Sequence, residues 1–131
     1  MHSVTRSVVV PAPPEETWDA LVEPDRLEDW FADSVEGELA PDEEVTFAWN
    51  DGEQRDAVVE EVHAPHRLTF RWTDETGDES RAAFVLDELE TGGTRVTVIE
   101  SGMTRRAAAR RAGVATAWGP RLVAACAAVL A

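Results

Sequence analysis

Glu100 stands out among the residues able to do chemistry, because its neighbours in the strand pattern are apolar. The stretch "GGTRVTVIESGM" (92–103) alternates as a strand does. Val96, Val98 and Glu100 therefore share one face, and Arg95, Thr97, Ile99 and Ser101 share the other. A carboxylate on the buried side of a pocket can move a proton or orient the polar end of a ligand. Glu60 and Glu61 are adjacent, so they point to opposite faces and one is expected on the pocket side. Arg81 and Asp87 share a face of their strand.

Other chemistry-bearing residues fit bland roles. His63 and His66 flank Pro65, which makes a turn, and no third ligand sits at metal-site spacing. Cys126 is the single cysteine, so an intrachain disulfide and a four-cysteine zinc site are both excluded. Inside "VAACAAVLA" it reads as a small core residue. Gly92-Gly93 lies between two strands and lacks the strand–turn–helix setting of a phosphate loop. Ser101 precedes Gly102 but has no base that spacing identifies. No cofactor or metal is expected.

Composition narrows the partners. The 131 residues suit one domain, 1–131, with its own core. Twenty-six acidic and 12 basic residues leave a net charge of −14, and every basic residue is arginine. Such a surface repels nucleic acid and anionic lipid, so neither is an expected partner. The segment "TRRAAARR" (104–111) is a local basic exception and reads as a solvated helix face. No apolar run approaches the ~20 residues of a membrane span. The opening residues carry no signal-peptide pattern, so a cytoplasmic location is expected.

These side chains need elements to position them. Val4 to Val10 reads as a strand stopped by Pro11. "PPEETWDALV" opens a helix: Pro14 suits its first turn, Glu15 and Glu16 suit the positive dipole end, and Trp18, Leu21 and Val22 make its apolar face. "EPDRLEDWFAD" gives a second short helix with Leu27, Trp30 and Phe31 on one side. "SVEGEL" is a short strand. A hairpin follows, in which Val45, Phe47 and Trp49 alternate, Asn50-Asp51-Gly52 turns, and the return strand runs to about Ala64. "HRLTFRWT" sends Leu68, Phe70 and Trp72 inward and Arg67, Thr69, Arg71 and Thr73 outward. "RAAFVLDELE" and the opening stretch complete about six strands after the helices. The Ala-rich C-terminal stretch predicts a helix over about 105–130. Trp118, Leu122, Ala125, Cys126 and Val129 fall on one face of it, and Gly113 to Pro120 set a bend or break near 113–120, or leave a firm helix only from about 119.

This order, one strand, two short helices, a run of strands and a terminal helix, resembles the START-like superfamily, also called SRPBCC or Bet v 1-like. The Aha-type branch, homologues of the chaperone ATPase activator's C-terminal domain, is the most similar within it. The resemblance is carried by "VVVPAPPEETWDALVEPDRLEDWF", "GGTRVTVIESGM" and "AWGPRLVAACAAVL", and it spans nearly the whole chain. Pro120 departs from the smooth terminal helix of such proteins. The resemblance implies an α+β helix-grip fold: a curved antiparallel sheet of about six to seven strands wrapped around a long C-terminal helix. It also implies a cavity between the two. Trp30, Phe31, Phe47, Trp49, Phe70, Trp72, Phe84, Val98, Glu100, Trp118 and Leu122 are expected to line it. The leading expectation is a small hydrophobic or amphipathic ligand held without covalent chemistry. A protein-interaction module, as a homodimer or with a chaperone partner, and a polyketide cyclase- or hydrolase-like enzyme are the alternatives. Fold alone does not choose among them.

Overall fold

A computed structural model describes residues 2–103. The expected C-terminal helix, with Trp118, Leu122 and Cys126, lies outside the described residues.

Proline places the first elements. Strand β1 (His2–Val10) ends against Pro11, and helix α1 (Pro14–Val22) starts with Pro14 in its first turn and Glu15 and Glu16 beside it. Thr17 closes this turn twice, donating from its N–H (3.1 Å) and its Oγ1 (3.0 Å) to the carbonyl of Pro13 four residues back. Helix α1 buries Thr17, Trp18, Ala20 and Leu21. Helix α2 (Pro24–Trp30) follows at once and buries Leu27 and Trp30, with Phe31 buried just beyond it. The Trp30 indole N–H donates 2.9 Å to the carbonyl of Ala20, which pins α2 to α1.

Six more strands form one sheet with β1. They are β2 (Ser34–Glu36), β3 (Glu44–Ala48), β4 (Gln54–His63), β5 (Arg67–Thr73), β6 (Glu79–Glu88) and β7 (Thr94–Met103). Every pair is antiparallel, and the order across the sheet is β1-β7-β6-β5-β4-β3-β2. The expected strand count and helix order hold. Trp49 falls just past β3, where it opens the turn and donates from its backbone N–H to Glu53 O (2.9 Å). Gly92 turns at φ +87° before β7, and Gly93 passes Val10 so closely that a Cβ there would stand 2.9 Å from its carbonyl oxygen.

The inner face of the sheet joins α1 and α2 in one core. Val35, Val45, Phe47, Ala57, Val59, Leu68, Phe70, Trp72, Ala82, Phe84, Leu86, Val96 and Val98 all belong to it. The outer face is charged and carries a groove of about 420 Å³ whose lining includes Glu44, Asp56, Arg71 and Glu79. Two expectations change on this face. Thr69 points outward as expected but is only 5% exposed, flanked across the strands by Glu61 and Ala83. Neither Glu60 nor Glu61 reaches the inner face. The register shifts between Val59 and Glu61, so an extra residue sits in β4 and both carboxylates meet outer-face arginines. Among the described residues no helix is long and apolar enough to cross a membrane.

Candidate functional site

Period-two alternation should leave the inner face apolar, yet four adjacent strands each contribute one polar-capable side chain to a single buried band there. Strand β4 supplies Arg55, β5 supplies Trp72, β6 supplies Ser80 and β7 supplies Glu100. Their exposures are 2%, 0%, 3% and 2%. The register explains the diagonal: Trp72 faces Ser80 across the β5–β6 pair, and Glu100 faces Ala82, two residues on.

One carboxylate oxygen gathers the group. Glu100 Oε2 accepts from Ser80 Oγ at 2.7 Å and from Trp72 Nε1 at 3.1 Å. The Trp72 N–H also reaches Ser80 Oγ at 3.0 Å. Arg55 Nη1 stands 3.9 Å from the same Oε2, an ion pair too long for a hydrogen bond. The guanidinium lies 4.4 Å from the centre of the Trp72 ring, close enough for a cation–π contact. Its other edge is held by Glu53, whose Oε1 accepts from Nη2 at 2.8 Å and Nε at 3.0 Å. Nη1 is buried and has no hydrogen-bond partner among the described residues. A buried donor left this way costs about 1–3 kcal/mol.

An aromatic layer surrounds this band. Phe31 stacks on Trp72 with centroids 6.0 Å apart and planes 15° apart. Phe31 meets Phe47 edge-on at 5.1 Å, and Phe47 continues to Phe70 at 5.6 Å. Phe70 reaches Phe84 at 6.1 Å, and Trp30 meets Phe84 at 89°. Trp49, half-buried, packs on Phe31 at 5.7 Å and donates its indole N–H to the carbonyl of Phe31 at 2.8 Å. The folded chain therefore brings together nine of the residues singled out from sequence: Trp30, Phe31, Phe47, Trp49, Phe70, Trp72, Phe84, Val98 and Glu100. Trp118 and Leu122 lie outside the described residues.

Sequence reasoning missed Arg55, Ser80 and Glu53. A signal for Arg55 existed: it precedes Ala57 and Val59 at spacing two, on the same face. Ser80 has the same relation to Ala82, Phe84 and Leu86, but β6 begins two residues earlier than Arg81, the residue at which the sequence pattern opens. Arg81 and Asp87 do share a face, the outer one. His63 and His66 are exposed in the β4–β5 turn. Among the described residues no cluster of metal-ligating side chains occurs.

Chemically, the band is a fixed set of donors converging on one carboxylate, beside a guanidinium with donor capacity to spare. It can orient a polar group against flat apolar walls. Ser80 spends its hydroxyl on Glu100, and no histidine is placed beside it among the described residues.

The model of the family described as "Activator of Hsp90 ATPase homolog 1-like protein" matches residues 11–129. No curated protein sequence matches the chain. Among solved structures the chain is similar to DynU16, a protein in the dynemicin biosynthetic locus, with 26% identity and a TM-score of 0.85. That match covers 95% of this chain but 45% of DynU16, so this chain spans under half of that relative's length. The fold is shared with MLL2253 from Mesorhizobium loti at 22% identity and a TM-score of 0.88, over 98% and 96% of the two chains. It is also shared with Aha1 from Colwellia psychrerythraea, solved as a dimer in solution, at 21% identity and a TM-score of 0.81, over 98% and 96%.

Proposed function

The chain belongs to the Activator of Hsp90 ATPase homolog 1-like family, and from that premise we propose that it binds a small hydrophobic or amphipathic molecule. The ligand lies between the inner face of the sheet and the C-terminal segment. Residues 1–131 act as one START-like domain, working in the cytoplasm. The supporting observation is the buried band itself. A buried ion pair can often be replaced by apolar side chains without loss of stability, so stability alone does not call for one here. Ligand sites, by contrast, combine apolar walls with a few placed polar groups, which is the composition of this face.

The test is a titration with N-phenyl-1-naphthylamine, a neutral apolar probe. The expected outcome is quenching of the tryptophans and a rise in melting temperature that grows with probe concentration. A probe that leaves both unchanged counts against the reading.

A second reading, a protein-interaction module, is favoured by one separate observation. Strand β1 is nine residues long, lies at an edge of the sheet and pairs only with β7 among the described residues. An edge of that length can add a strand from a partner. The dimeric Aha1 relative makes a second copy the natural first partner to look for, ahead of a chaperone. Sedimentation of the full chain separates the two readings, since the ligand reading needs no partner. A cyclase- or hydrolase-like activity has less support, because Glu100 Oε2 already accepts from two neighbours.

A further inference from the structure

We propose that Arg55, not Glu100, is the group that takes the polar end of the ligand, and that this end is a neutral oxygen acceptor on an aromatic body. The proposal rests on the ligand-binding reading above and specifies its chemistry.

Glu100 and Arg55 differ in what they have left to offer. Glu100 Oε2 already holds two short hydrogen bonds, from Ser80 and Trp72. Arg55 carries five N–H groups, and Glu53 engages only those on Nε and Nη2. The Nη1 atom is buried, 2% of the residue is exposed, and no oxygen among the described residues lies within hydrogen-bond range of it. A ligand oxygen seated at Nη1 would gain a charge-assisted bond that the protein leaves unmade.

The surroundings choose the kind of oxygen. Among the described residues one cation, Arg55, sits between two carboxylates, Glu53 on one edge and Glu100 on the other. An anionic ligand group would enter against a local excess of negative charge, whereas a ketone, ester or amide carbonyl meets no such penalty. The walls choose the body. The guanidinium is stacked on Trp72, and Trp72 is stacked on Phe31, so flat rings already fill the neighbouring positions. Nη1 is out of reach of water and the guanidinium lies against the Trp72 ring, so an oxygen reaches it only as the packing around that ring changes. Ligand entry and a change in indole fluorescence are therefore coupled.

Three naphthalenes of one shape test this with the full chain: acetylnaphthalene (a neutral ketone), naphthoate (an anion) and ethylnaphthalene (no oxygen). Binding is followed by tryptophan fluorescence. The ketone is expected to bind about tenfold more tightly than the hydrocarbon, the scale of one hydrogen bond to a charged group, and more tightly than naphthoate. In Arg55→Met the preference for the ketone over the hydrocarbon should fall to below about twofold. A readout without a variant is nitrogen NMR of labelled arginine in the wild-type protein. The Arg55 side-chain signal should move with acetylnaphthalene and stay in place with ethylnaphthalene. If ethylnaphthalene binds but the ketone gains nothing, or the Arg55 signal ignores it, the role of Arg55 is overturned and the ligand-binding reading stands. Naphthoate binding more tightly than the ketone overturns the neutral-ligand assignment. No binding by any of the three overturns both.

Discussion

The sheet carries an arginine–glutamate pair on each face, and the two are built in opposite ways. On the outer face Arg81 donates to both oxygens of Glu60 from one edge of its guanidinium, Nε at 2.7 Å and Nη2 at 3.3 Å, and both residues meet water. On the inner face Arg55 and Glu100 are almost fully buried but stand 3.9 Å apart, each committed to other partners. The better geometry is thus the less consequential one. Water screens the outer pair, and exposed pairs contribute about 0–1 kcal/mol. The inner pair cannot lose one member without stranding the other in a dry interior.

The sharpest way to break that comparison is to remove each arginine in turn. Arg55→Met should lower unfolding free energy by about 3–5 kcal/mol in chemical denaturation, because Glu53 and Glu100 lose their shared cation. Arg81→Met should cost less than about 1 kcal/mol. Equal losses would mean that the inner pair is solvated in solution. Next in size is Trp72→Phe, which keeps the ring stack but removes the N–H shared by Ser80 and Glu100. A loss of about 1–3 kcal/mol is expected, since a buried acceptor loses a donor. Ser80→Ala should cost about 1 kcal/mol, read from the same denaturation curves, and the Trp72 donor should then rest on Glu100 alone.

The smallest effect concerns pH. The hydrogen bond from Arg81 holds the Glu60 carboxyl below its ordinary value of 4.5, outweighing the desolvation that raises it, with the charges of Arg81 and Arg71 adding to the lowering. The same hydrogen bond holds Arg81 above its ordinary value. A carboxyl depressed in the folded state contributes stability above its unfolded pKa and loses it as pH falls through the folded one. Glu60→Gln should therefore lower stability at pH 7 by no more than a few tenths of a kcal/mol and remove that much of the fall below about pH 4.5, where the two proteins converge. A larger change at pH 7 would show that this pair does more than decorate the surface.

Much of this architecture is legible in the sequence because its signals are local. Proline marks the start of both helices, and alternation marks β5 and β7 cleanly enough to put Glu100 beside Val96 and Val98. The aromatic set is legible for the same reason. Arg55 was not, because a single charged residue at a strand start normally means that the strand has not yet entered the core. The fate of Glu60 and Glu61 was hidden by one extra residue in β4, which alternation cannot register. Arg55 is held inside partly by a local carboxylate, Glu53 two residues before it, but the Glu100 carboxylate from β7 and the Trp72 indole from β5 reach it only through the fold.

The diagonal of polar groups has a consequence for how the chain finds its shape. Trp72 and Glu100 are 28 residues apart in sequence, and Ser80 and Glu100 are 20 apart. The band closes only when β4, β5, β6 and β7 are all aligned. A slip of one residue in any of them would swing its member to the opposite side of the sheet. An apolar strand can slide against its neighbour and lose only some contact, but here a slipped strand leaves a charge alone in the dark. The band thus serves as a proofreading mark, shared among β4, β5, β6 and β7, that the assembled sheet must match.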